Sequence, residues 1–141
     1  MTTIKLRKGT FKHIESELYE YADTKKEIEL LRNEMLYGGK YADEDAADGS
    51  GHLPGPAPAR TAVLLAGHKR LEHLESLIQA IDSVVERLSP ERQQLIRLKY
   101  WTRSQPLAWD GIAQRLNVST RTALRWRDEI IYAIADKLGW T

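Results

Sequence analysis

Apolar residues recur along this chain at steps of three and four, and strict alternation is sustained nowhere, so the pattern predicts helices and no strands. Ile14, Leu18, Tyr21, Ile28 and Met35 mark one stripe, which Leu31 broadens and only Lys25 interrupts. Glu15, Glu17, Glu20, Glu27, Glu29 and Glu34 crowd the other positions. The spacing predicts a helix over about 10–37, with Thr10 as its cap and Gly38-Gly39 as its stop. Ahead of it, Ile4 to Phe11 forms a short basic lead (Lys5, Arg7, Lys8) that reads as a loose arm. Residues 38–60, GGKYADEDAADGSGHLPGPAPAR, break the periodicity. Five of the nine glycines and three of the five prolines fall there, which predicts a flexible linker. Leu64, Gly67, Leu71, Leu74, Ile78, Ile81, Val85 and Leu88 then form an unbroken heptad seam, widened by Leu77 and Val84. Such a seam needs a partner. The first helix folded back as an antiparallel hairpin would serve, and so would a second copy of the chain.

Ser89-Pro90 opens the last module, with serine as cap, proline at the first helical position and Glu91 in the first turn. Leu95, Ile96, Leu98 and Tyr100 continue that helix, and Trp101 to Pro106 reads as a loop. The stretch Trp109 to Asp128, WDGIAQRLNVSTRTALRWRD, then reads as helix, tight turn and helix. Ile112 and Leu116 share one face, and Ala113 is small enough for two helices to cross closely. Asn117 stands where the chain must enter the left-handed region, which asparagine tolerates best after glycine. Val118 would plug the corner, and Ser119 is a good N-cap. Ala123, Trp126 and Ile130 form the inner stripe of the second helix, which continues through Ile131, Ile134 and Leu138 to Gly139. Thr120, Arg121, Leu124 and Arg125 are left facing outward.

That outward face suits duplex DNA. An arginine fork spans guanine O6 and N7, and a threonine bonds a base edge or a phosphate. The DNA-facing set is therefore Ser119, Thr120, Arg121, Thr122, Leu124 and Arg125, with Arg103, Arg115 and Arg127 as phosphate contacts. The charge distribution agrees. The whole chain carries +1, but residues 89–141 carry nine Lys/Arg against five Asp/Glu, and residues 1–88 carry twelve against fifteen. The expected architecture is all-α: a long antiparallel helical hairpin in residues 1–88, followed by a helix-turn-helix domain in 89–141.

Other chemistry finds little footing. No cysteine is present, which excludes disulfide scaffolds and thiolate metal sites. His68 and His73 are five residues apart, about 140° around a helix, and cannot chelate one ion together. The acidic run Asp43, Glu44, Asp45, Asp48 fails as a calcium loop, because Ala47 and Pro54 occupy ligand positions. Gly49, Gly51 and Gly55 lack the preceding strand that a nucleotide fingerprint requires. No HExxH, GxSxG or Walker loop occurs. The expectation is a protein without enzymatic activity, metal or cofactor. With no apolar run of membrane-spanning length and no secretory pattern at Met1, it is expected in the cytoplasm and off the membrane.

Residues 88–138, LSPERQQLIRLKYW…AWDGIAQRLNVSTRTALRWRDEIIYAIADKL, resemble the C-terminal promoter-reading domain (region 4) of bacterial sigma factors. Leu88, Pro90, Glu91, Arg92, Ile112, Ala113, Leu116, Val118 and Ser119 carry the likeness. It places base-contacting positions on Thr120, Arg121, Leu124 and Arg125, where Leu124 departs from the usual polar residue. The whole chain, from LRKGTFKHIESELYEY and KKEIELLRNEM onward, resembles the RinA/ArpU-type phage transcriptional regulators. That resemblance implies a nucleoid-associated activator of late packaging and structural operons in an infected bacterium. It assists transcription rather than replacing sigma, with host RNA polymerase as a further partner and a homodimer as one assembly. Two other readings compete. A phage terminase small subunit also joins a helix-turn-helix to oligomerising helices. An adaptor would use the sigma-like domain to dock on polymerase without reading DNA.

Overall fold

The computed structural model describes residues 6–47, 57–103 and 107–141, and the side chains of 6–36, 61–103 and 107–141. Among the described residues the chain is all-α. Six helices follow one another: α1 (Lys8–Tyr19), α2 (Tyr21–Ala47), α3 (Ala57–Glu86), α4 (Pro90–Lys99), α5 (Trp109–Leu116) and α6 (Thr120–Leu138). No helix among them is long and apolar enough to cross a membrane.

The chain divides into two compact units. One joins Met1–Ala22 to Leu77–Thr141, and the other is Asp23–Ser76. Where the sequence pattern places a boundary at residue 88, this division groups α1 and the end of α3 with the C-terminal helices. The reason is burial. Ile14 and Leu18, four residues apart on α1, are fully buried in one core with Leu77, Ile81 and Val84 of α3. Leu95 and Ile96 of α4, Ile112 of α5, and Ala123, Ile130, Ile131, Ile134 and Ala135 of α6 complete it. The basic lead is no loose arm where it is described: Leu6 is buried in this core and the helix begins at Lys8. Arg7 holds the N-cap position with no side-chain bond, so Thr10 is not the cap. Ile4 and Lys5 lie outside the described residues.

The first predicted helix is in fact two, because α1 ends at Tyr19 and α2 begins at Tyr21. At this joint the Trp101 indole N–H donates to the Leu18 carbonyl at 3.2 Å, beside the backbone N–H that the same carbonyl accepts at the helix end. The Tyr21 ring stacks on Trp101 with centroids 4.4 Å apart, and its hydroxyl donates to Asp82. Tyr100 is buried and donates to Glu15 at 2.8 Å. Burial first, then the bond and charge of Glu15, push its phenol well above the usual tyrosine range, so it remains a donor. Between α3 and α4, the Gln93 amide donates to the Val85 carbonyl at 2.9 Å, and Ser89 accepts from the Arg92 N–H at 3.5 Å. Pro90 occupies the first turn as expected.

In the other unit, α2 and α3 are joined by ion pairs and an apolar contact. Arg32 meets Glu75 at 3.3 Å, and the Met35 methyl lies 3.7 Å from where a Cβ on Gly67 would be. Arg70 meets Glu27 at 2.6 Å. Thr24, Ile28, Leu71 and Leu74 are buried, so the apparent interruption at Lys25 closes one residue earlier, on threonine. Leu64, expected in the seam, is exposed together with Val63 and Leu65. The expected stop at Gly38-Gly39 is overridden: α2 continues through both glycines to Ala47 and α3 starts at Ala57, so 38–60 is helical at both margins. Glycine weakens a helix by about 1 kcal/mol without forbidding it. It terminates one when it turns left-handed, as Gly139 does. Residues 48–56 of the expected linker lie outside the described residues.

If α1 belongs to the C-terminal core, Ile14→Ala should lower the stability of that unit by about 2–5 kcal/mol. Leu30→Ala, at a position 64% exposed, should change stability by less than about 0.5 kcal/mol. Urea unfolding followed by tryptophan fluorescence checks both.

Candidate nucleic-acid interface

The corner between α5 and α6 is built from backbone satisfaction. Ile112 and Ala113 turn inward and are buried. Asn117 adopts φ 56°, ψ 40°, the single left-handed non-glycine residue among those described. Its N–H reaches the Gln114 carbonyl at 3.2 Å, and the Val118 N–H reaches the Ala113 carbonyl at 3.0 Å. These two bonds close the end of α5 as a Schellman motif. Ser119 then returns to the extended region, and its hydroxyl oxygen accepts from the Thr122 N–H at 3.0 Å. The same hydroxyl donates to Thr122 Oγ1 at 2.9 Å. Gly139 ends α6 as Asn117 ends α5, with the Trp140 N–H bonded to the Ala135 carbonyl at 2.9 Å.

This corner decides which residues of α6 face outward. Arg121 is exposed and has no hydrogen-bond or ion-pair partner among the described residues. Arg125 follows one turn later with its side chain 65% exposed, and its Nε lies 3.9 Å from Glu129 Oε1. Glu129 is more closely held by Arg92, at 2.6 Å, and the Arg92 guanidinium lies 5.3 Å from the centre of the Trp126 ring. Leu124 and Thr122 are half-buried. Arg115 is exposed in the last turn of α5, and Arg103 is exposed after α4.

Two expected contacts have internal work instead. The Thr120 hydroxyl donates to Asp110 Oδ1 at 2.7 Å, which ties the first turn of α6 to the first turn of α5. The Arg127 side chain is only 21% exposed. It pairs with Asp128 at 2.9 Å and lies between two rings, 5.1 Å from Phe11 and 5.2 Å from Trp109. Its place is in the packing of α1 and α5 on α6, away from the exposed arginines expected to meet phosphates. Asp110 and Glu129 shape this surface and were not singled out from the sequence, and Arg92 entered there only through the sigma likeness. Only the Arg125–Glu129 relation, at i and i+4, left a sequence signal.

The fold and surface define a small all-helical protein whose C-terminal unit presents the start of one helix beside a left-handed corner. The chain belongs to the family described as "Protein of unknown function (DUF722)", whose model matches residues 11–136. No curated protein and no solved structure matches it.

The corner gives a direct stability test. Asn117→Gly should be tolerated, since glycine adopts the same φ freely. Asn117→Val should cost at least about 1–2 kcal/mol, because a side chain branched at Cβ is strained there. Thermal unfolding of the two variants checks the order.

Proposed function

We propose that this protein is a sequence-specific double-stranded DNA-binding regulator of transcription, with α5 and α6 as a helix-turn-helix and the start of α6 entering the major groove. The observation that carries this reading is Arg121. It is a guanidinium with no partner among the described residues, on the outward first turn of a helix whose start is fixed at both sides, by the Ser119 cap and by the Thr120–Asp110 bond. A fixed backbone and a free arginine are what bidentate recognition of guanine needs. Arg125, one turn on, offers a second fork. Its longer approach to Glu129 is exposed, and such contacts hold a side chain weakly. Arg115 and Arg103 are available to phosphates at the margins. Ser119 and Thr122 are occupied with each other, so their part is to shape the turn, and only the Thr122 hydroxyl keeps a proton to offer a phosphate oxygen.

The likeness to phage late-gene regulators supplies the biological setting of the proposal: an activator acting on a packaging or structural operon beside the host polymerase. Homodimerisation would present two such helices to half-sites about one helical turn apart, on the order of 34 Å.

Arg121→Ala and Arg125→Ala should each weaken binding to the selected duplex by about 1–3 kcal/mol and relax preference at the base each one meets. Fluorescence anisotropy against the selected site and against single-base variants measures both effects. Unchanged affinity and unchanged preference in the double variant would contradict the reading.

A further inference from the structure

The C-terminal unit carries a second group of exposed cations, at the start of α1. Arg7, Lys8 and Lys12 are all exposed and have no ion-pair or hydrogen-bonding side-chain partner among the described residues. The carboxylates of the same helix do not answer them. Glu15 accepts from Tyr100, and Glu17 faces His13 at 3.4 Å. Nor do the cations stabilise the helix, since positive charge at a helix start opposes the macrodipole. The backbone that carries them is nevertheless anchored. Leu6 is buried beside them, and Phe11, whose N–H bonds the Arg7 carbonyl at 3.0 Å, packs on the core.

Their position relative to the start of α6 follows from a chain of contacts. Phe11 lies against Arg127, Arg127 lies against Trp109, and Trp109 is the first residue of α5. The next residue, Asp110, is bonded to Thr120, the neighbour of Arg121. One side of the first turns of α1 is thus joined through Arg127 to the start of α5, and the start of α5 to the start of α6, while the other side, at His13, meets Trp140 beyond the end of α6 at 5.1 Å. We infer that Arg7, Lys8 and Lys12 form a second DNA contact, gripping the phosphate backbone beside the bases met by α6. This rests on the DNA-binding reading above and extends it. The partner is the sugar–phosphate strand, met through charge and without base preference.

The test is the salt dependence of duplex binding by the full chain. The wild type is compared with R7A/K8A/K12A and with the charge-retaining R7K/K8R/K12R, using the selected duplex and a random-sequence duplex. The three positions are exposed, so the urea midpoint should not move. The alanine variant should lose affinity for both duplexes by the same factor. The slope of log K against log salt should become shallower by roughly two to three, at about 0.9 per phosphate released. The charge-retaining variant should keep the wild-type slope. If the wild type binds but the alanine variant keeps its slope, this inference is overturned and the role of α6 stands. If the wild type binds no duplex at low salt, both fall together.

Discussion

The inner face of α6 is the constraint on which the C-terminal unit depends. Ala123, Ile130, Ile131, Ile134 and Ala135 are buried along its length. Every other helix of the unit meets the same core: α1 through Ile14 and Leu18, α3 through Ile81, α4 through Leu95 and Ile96, and α5 through Ile112. A helix has one such stripe, and committing it inward fixes what the opposite side shows. Arg121 and Arg125 are outward because their neighbours on the inner stripe have no alternative. The small residues matter as much as the large ones. Ala113 and Ala123, both buried, allow α5 and α6 to cross closely at the corner.

Around that core the polar groups are matched one by one, as buried or helix-end polar groups must be. Trp101 serves the carbonyl of Leu18, Gln93 that of Val85, and Lys99 that of Leu107 at 3.4 Å. Thr120 and Asp110 serve each other across the two helix starts. Of these only the Trp101 bond spans a long stretch of sequence, and it ties α1 to the end of α4. Arg127 shows the same economy. A cation that sequence spacing leaves free is in the fold a spacer between two aromatic rings.

What could be read from the sequence were the signals written locally. Ser89-Pro90, Asn117, Ser119 and Gly139 state their roles within four residues, and the fold has each of them in that role. The all-α class followed from period alone. Signals that depend on a distant partner were not legible. Nothing near Glu20 announces the joint between α1 and α2, because a group that serves the Leu18 carbonyl is Trp101, more than eighty residues on. The glycines at 38 and 39 carry the composition of a stop, but whether a glycine ends a helix depends on the conformation it takes. In the candidate site, Arg121 and Arg125 were legible from the helical period. The engagement of Thr120 by Asp110 and of Arg127 by two rings was not, since each requires knowing which elements touch.

The central claim is that the start of α6 recognises a particular duplex sequence. The most direct measurement is selection of bound fragments from a random duplex library at low salt, followed by a hydroxyl-radical footprint on the enriched site. The account predicts one enriched motif, with protection confined to one face of the helix around a single major-groove segment, or around two if the protein binds as a dimer. Binding without enrichment, or no retained fragments at all, would contradict it.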